Sequence, residues 1–205
     1  PAVLAIAEAR GLTGERAFTG IVAGIEIMCR MGQITGTGAH KAGFHPTAII
    51  GTMAAAGAVG VALGQNRDQI ANGFGLAGSM AAGIIEYLAE GSWTKRMHAG
   101  WAAQSGIRAA TMAEAGFIGP KTVFEGTHGF YTAFAPSIEP DFDVLVSDLG
   151  QRWEAANLSF KPYACGTMCQ PYVDCAIRMR DQITDIDAIA SISCKVGEGT
   201  VHRLW

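Results

Sequence analysis

At 205 residues and 21.4 kDa, with 49% hydrophobic and 16% charged residues, the chain is long enough to bury a substantial core and too apolar to be disordered. A net charge of −3 without a basic tract excludes an electrostatic nucleic-acid footprint and favours small ligands and other protein subunits as partners. The cysteines Cys29, Cys165, Cys169, Cys175 and Cys194 are odd in number and accompany no secretory signal pattern, so a reduced, cytoplasmic setting is expected.

Pro1 to Arg10 opens directly in helical periodicity, and Thr13-Gly14-Glu15-Arg16 starts a second helix to about Met31. Its apolar stripe is Phe18, Ile21, Val22, Ile25 and Met28. Gln33 to Gly43 reads as a Gly/Thr loop. A third helix is predicted from about Thr47 to Leu63, a fourth from Arg67 to Ala89 with a break at Gly83, and a fifth from Lys95 to Ala115. Ala42 to Asn66 contains no Asp, Glu, Lys or Arg and is long enough for a membrane span. It is Ala/Gly-rich and lacks an aromatic belt, so a helix buried on all sides is expected rather than a membrane partner. The glycine pairs Gly20/Gly24 and Gly60/Gly64, four apart, suit close backbone approach.

Beyond Gly119-Pro120 the pattern changes. Phe130 to Pro140 reads as irregular, Phe142 to Leu149 as a short helix, and Met168 to Asp181 as a helix. Asp187 to Val196 alternates like a half-buried strand. A domain boundary is placed near Leu158, with residues 1–157 helical and 158–205 the start of a smaller α/β domain. Neither Pro1 nor Val201-His202-Arg203-Leu204-Trp205 looks like a natural terminus, so an internal fragment with part of its site elsewhere is expected.

The densest chemistry lies in Thr94-Lys95-Arg96-Met97-His98. Lys95 and His98 are three apart and share a helix face; near a helix N-terminus they favour a carboxylate or phosphate. Against this stands the ordinary reading of solvated cations and a structural histidine. His45, in Gly43-Phe44-His45-Pro46-Thr47, also precedes an apolar helix, and Lys161, in Phe160-Lys161-Pro162-Tyr163, opens a later segment. Prolines at 46 and 162 suit a first helical turn or a rigid loop. Cys165 and Cys169 lack companions at zinc-like spacing, so no metal is expected. His40 and His128 sit in Gly-rich loops.

Five segments together resemble the MmgE/PrpD family: Gly43-Phe44-His45-Pro46-Thr47-Ala48, the stretch from Thr94 to Ala103, Glu114 to Pro120, Phe124-Glu125-Gly126, and Lys161-Pro162-Tyr163. The resemblance implies a mainly α fold, an all-helical domain followed by the start of an α/β lid domain, in a homodimer. It also implies a small di- or tricarboxylate substrate and no cofactor. Such a substrate needs cations for its carboxylates and groups that move protons. His45 is the expected proton-transfer group, with Lys95 and Lys161 as carboxylate-binding or acid groups. Thr47, His98 and Tyr163 are expected to support substrate binding. The family contains 2-methylcitrate dehydratase, cis-aconitate decarboxylase and iminodisuccinate epimerase. A 2-methylcitrate dehydratase-like hydro-lyase is the leading expectation, with decarboxylation or epimerisation as alternatives and a non-catalytic helical oligomer or inactive fragment from another class. One departure is Gln170-Pro171 where the family often has His-Pro: glutamine hydrogen-bonds but does not titrate.

Overall fold

The computed structural model describes residues 1–197. They form two compact units, Pro1–Asn157 and a second beginning at Leu158.

The first unit is helical. Its long elements are α1 (Ala2–Arg10), α2 (Gly14–Thr35), α4 (Pro46–Leu63), α5 (Arg67–Met80) and α7 (Thr94–Glu114). Short helices α3 (Gly38–Lys41), α6 (Tyr87–Glu90), α8 (Phe130–Phe134) and α9 (Asp143–Val146) lie between or after them. The boundaries follow local chemistry. Thr13 caps α2 by accepting from the Arg16 N–H, and Asn66 and Gln69 form a reciprocal capping box on α5. Gly11, Gly64 and Gly91 close α1, α4 and α6 in the left-handed conformation.

Helix α4 is apolar on every side and is the centre of the unit; 72% of this span is buried within the protein. It is the one helix among the described residues whose length and apolarity suit a membrane, and it is packed as a core helix. Its neighbours approach closely because they present glycine. A Cβ at Gly20 of α2 would lie 2.8 Å from the Ala58 carbonyl and from the Ala62 Cβ, and one at Gly24 would lie 2.8 Å from the Ala58 Cβ. On the other side Gly106 of α7 meets Ala55 and Ala56. Gly64 differs from its expected packing role: it is the left-handed end of α4.

Three further expectations are corrected in this unit. The Gln33–Gly43 loop is partly helical, since α2 runs on to Thr35 and α3 follows. The irregular stretch after Phe130 begins with α8, which buries Phe130 and Tyr131. The apolar stripe of α2 is not its buried face: Phe18 is 68% exposed, whereas Glu26, Arg30 and Met31 are buried. The glycine contacts turn α2 so that Ile21, Ile25 and Met28 line an apolar cavity of about 310 Å³, bounded also by α1, α4 and α7.

The buried charges of α2 are paired. Arg30 Nε donates to Glu26 Oε1 at 2.6 Å, and its other nitrogens donate to the carbonyls of Val144, Ser147 and Arg152 at 3.0, 2.7 and 3.2 Å. Glu26 Oε2 accepts from the Glu154 N–H at 2.7 Å. This network holds the end of the first unit on α2 with every hydrogen bond charge-assisted.

The second unit contains a 3₁₀ turn at Thr167–Cys169, α10 (Gln170–Met179) and a 3₁₀ turn at Arg180–Gln182. The strand expected over Asp187–Val196 is absent among the described residues. A strand needs a neighbour for its ladder groups, and these residues instead form turns and exposed coil, tied to α10 by Tyr172 Oη donating to the Lys195 carbonyl at 2.9 Å. Val201 to Trp205 lies outside the described residues.

Candidate active site

A two-bond antiparallel bridge builds the site. Gly83 carbonyl accepts from the His45 N–H at 2.9 Å, and Gly43 carbonyl accepts from the Ile85 N–H at 3.0 Å, pairing Phe44 with Ile84. The break predicted at Gly83 is therefore real, and its purpose is to turn residues 81–86 back along the start of α4. Gly83 has φ 137°, and a Cβ there would lie 2.5 Å from the Ala48 Cβ and 3.4 Å from two atoms of the His98 ring. Only glycine fits this turn without strain.

His45 is the N-cap residue of α4, and Pro46 follows at the first helical position, fixing the entry angle. His98 projects from the first turns of α7. The two Nδ1 atoms are 2.9 Å apart, so one ring donates and the other accepts. His98 is buried and His45 half-buried. Tyr87, at the start of α6, packs its ring edge-on against both, with centroid distances of 5.8 Å to His45 and 5.6 Å to His98. The Lys95 ammonium lies 5.6 Å from the centroid of the same tyrosine ring, a cation–π contact.

The electrostatics follow from this packing. Burial, reinforced by positive charge at His98, Lys95 and His40, pushes His45 from 6.5 down to about 4. Burial and then Lys95 push His98 down as well, and burial pushes the Tyr87 phenol up. Near neutral pH the pair is uncharged beside an exposed ammonium. Such a group draws an anion to Lys95 and presents it to a neutral imidazole, which accepts a proton or donates a hydrogen bond.

Of the residues singled out in the sequence, His45, Lys95 and His98 thus stand together. Thr47 is exposed and lies on the wall of the apolar cavity with Met28 and Ala102. Neither that cavity nor a second of about 440 Å³, lined by Ser79, Thr122, His128 and Phe130 among others, includes the histidine pair. His40 is half-buried on α3 rather than in an exposed loop. Tyr87 was missed by the sequence reading. The available signal was an aromatic eight residues before Lys95, just beyond an isolated glycine in a helical pattern.

Lys161 and Tyr163 belong to the second unit. Lys161 is exposed, and Tyr163 Oη donates to Asp174 Oδ1 at 3.2 Å. Gln170, where a histidine was anticipated, clamps this loop: its Oε1 accepts from the Tyr163 N–H at 3.1 Å, and its Nε2 donates to the carbonyls of Tyr163 and Cys165 at 3.0 and 3.1 Å. Its role within the unit is to hold the loop's shape. Among the described residues, no three His, Cys, Asp or Glu side chains gather where they would hold a metal ion.

Comparison with known proteins adds an independent line. Residues 1–143 match the family profile of the MmgE/PrpD N-terminal domain. The chain is 28% identical over 204 residues to a cis-aconitate decarboxylase-like protein, oryM, of Aspergillus oryzae, an alignment covering 92% of this chain and 42% of the relative. It is 30% identical over 176 residues to cis-aconitate decarboxylase of Aspergillus terreus, covering 80% of this chain and 36% of the relative. Over 100 residues it is 33% identical to the Homo sapiens cis-aconitate decarboxylase, covering 47% of this chain and 20% of the relative. The chain therefore spans less than half the length of these curated relatives.

Proposed function

The chain belongs to the MmgE/PrpD family, and from that premise we propose that it serves a cofactor-independent lyase that decarboxylates cis-aconitate or a closely similar tricarboxylate. The observation that carries this reading is the His45–His98 pair, 2.9 Å apart, beside Lys95. The names of the curated relatives favour decarboxylation over the dehydration that was the leading expectation from the sequence.

The chemistry required is small. Cis-aconitate carries a carboxylate on the methylene carbon next to its double bond. Loss of carbon dioxide from that carbon leaves an electron pair that spreads over the double bond, and a proton added at the far carbon gives an unsaturated dicarboxylate. Lys95 binds a carboxylate and offsets developing charge. The same carboxylate offsets the ammonium that disfavours a charged imidazole, so His45 gains a proton to deliver when substrate is bound. Dehydration of 2-methylcitrate is the second reading, favoured by the neutral state of His45, which suits a base that abstracts a proton.

The full-length protein, incubated separately with cis-aconitate and 2-methylcitrate and followed by NMR, tests the proposal. Carbon dioxide release from cis-aconitate, unchanged by chelator, is expected. Turnover of 2-methylcitrate without carbon dioxide release from cis-aconitate would transfer the assignment to dehydration. Inertness toward both would overturn the enzymatic reading.

A further inference from the structure

We infer that His45 and His98 work as one proton-holding unit, in which the buried His98 is a positioning residue that sets which nitrogen of His45 is bare and which carries hydrogen. The proposed function enters only through the identity of the anion that faces His45.

The geometry leaves two arrangements. An Nδ1···Nδ1 contact of 2.9 Å needs one N–H and one lone pair. If His45 donates, its Nε2 is bare and acts as a base. If His98 donates, Nε2 of His45 carries hydrogen and acts as a donor. This contact engages the Nδ1 of each ring.

The shared hydrogen moves only together with a proton arriving at or leaving His45 Nε2, and the proton count then closes. A proton accepted at His45 Nε2 is matched by movement of the Nδ1 hydrogen to His98 Nδ1. His45 is again neutral and His98 holds the positive charge. The reverse movement returns the proton to His45 for delivery. Two protons cannot be added, because two imidazoliums would face each other across the 2.9 Å contact.

The surroundings support this coupling. Lys95 on α7, Tyr87 on α6 and His40 on α3 act on the pair, and none is a carboxylate. Among the described residues no carboxylate acts on the pair, so an anion from outside would stabilise its charged form. Both rings are also pinned. His45 is bonded through its main chain to Gly83, and His98 packs between Gly83 and the Tyr87 ring.

Nitrogen-15 NMR of the full chain with labelled histidine tests the inference across roughly pH 5 to 8. One ring of the pair is expected as the Nδ1–H tautomer and the other as Nε2–H, with neither titrating independently near 6.5. Two Nε2–H rings, or two independent titrations near 6.5, would overturn it whatever the substrate proves to be. In His98→Asn, turnover should fall by roughly a hundredfold, and the acidic limb of the pH profile should move upward as His45 loses a cationic neighbour. A folded His98→Asn protein with an unchanged pH profile would also overturn it. If that variant does not fold, the wild-type tautomers decide.

Discussion

The Lys95 ammonium and the Tyr87 ring are 5.6 Å apart, and the same ring packs against both histidines of the pair. Tyr87 thus touches all three side chains of the candidate site. It gives the exposed lysine a preferred place without neutralising it, since the neutral ring carries no opposing charge. The ammonium remains available to an anion.

Lys95→Ala should therefore lose turnover with its fold intact. A charge-assisted interaction of roughly 1.5–3 kcal/mol is removed, and the substrate is misplaced relative to His45. Lys95→Arg should recover little, because the guanidinium has a different reach and geometry. Turnover assayed alongside circular dichroism checks both. Wild-type turnover in a folded Lys95→Ala would take Lys95 out of the site.

Gly83→Ala addresses the scaffold. An alanine at φ 137°, with its Cβ 2.5 Å from that of Ala48, costs about 1–3 kcal/mol in strain and forces the bridge to His45 to shift. Thermal melting should fall by roughly 2–10 °C, with a loss of turnover larger than stability alone explains. An unchanged melt would mean that the turn accommodates a side chain.

Much of this scaffold was legible in the sequence because it rests on local signals. The capping residue at Thr13 and the charge-free run of α4 mark two of the long helices. His45 and Lys95 stood out as titratable groups beside helix starts. The 2.9 Å contact between His45 and His98 did not, because it joins residues 53 apart through a bridge that has no local signal. The outward turn of Phe18 and the burial of Arg30 were equally hidden. Both depend on glycines choosing the α2 face that meets α4, and on carbonyls more than a hundred residues away that satisfy a guanidinium.

Arg30→Ala tests that buried network. It strands the Glu26 carboxylate and three carbonyls, so a loss of about 3–5 kcal/mol is expected from urea unfolding. Adding Glu26→Leu to Arg30→Ala should cost no more than the single change, since no unpaired charge is then left behind. Strict additivity of the two single changes would contradict the pairing.

The histidine pair makes stability depend on pH, and the direction is fixed by its proton affinity. His45 falls from 6.5 in the unfolded chain to about 4 in the folded one, and His98 is lowered too. Between these values the unfolded chain binds more protons, so stability rises with pH and is fully present above 6.5. It is lost progressively as pH falls toward 4. His45 is partly exposed, and after allowance for solvent screening its share of the loss at about pH 5 is on the order of 1 kcal/mol. His45→Asn carries no titrating ring at this position. Urea unfolding of wild type and His45→Asn at about pH 7 and pH 5 should show a steeper acid loss in wild type. Equal losses in the two proteins would mean that His45 keeps an ordinary proton affinity in the fold, and a steeper loss in His45→Asn would reverse the sign of the coupling.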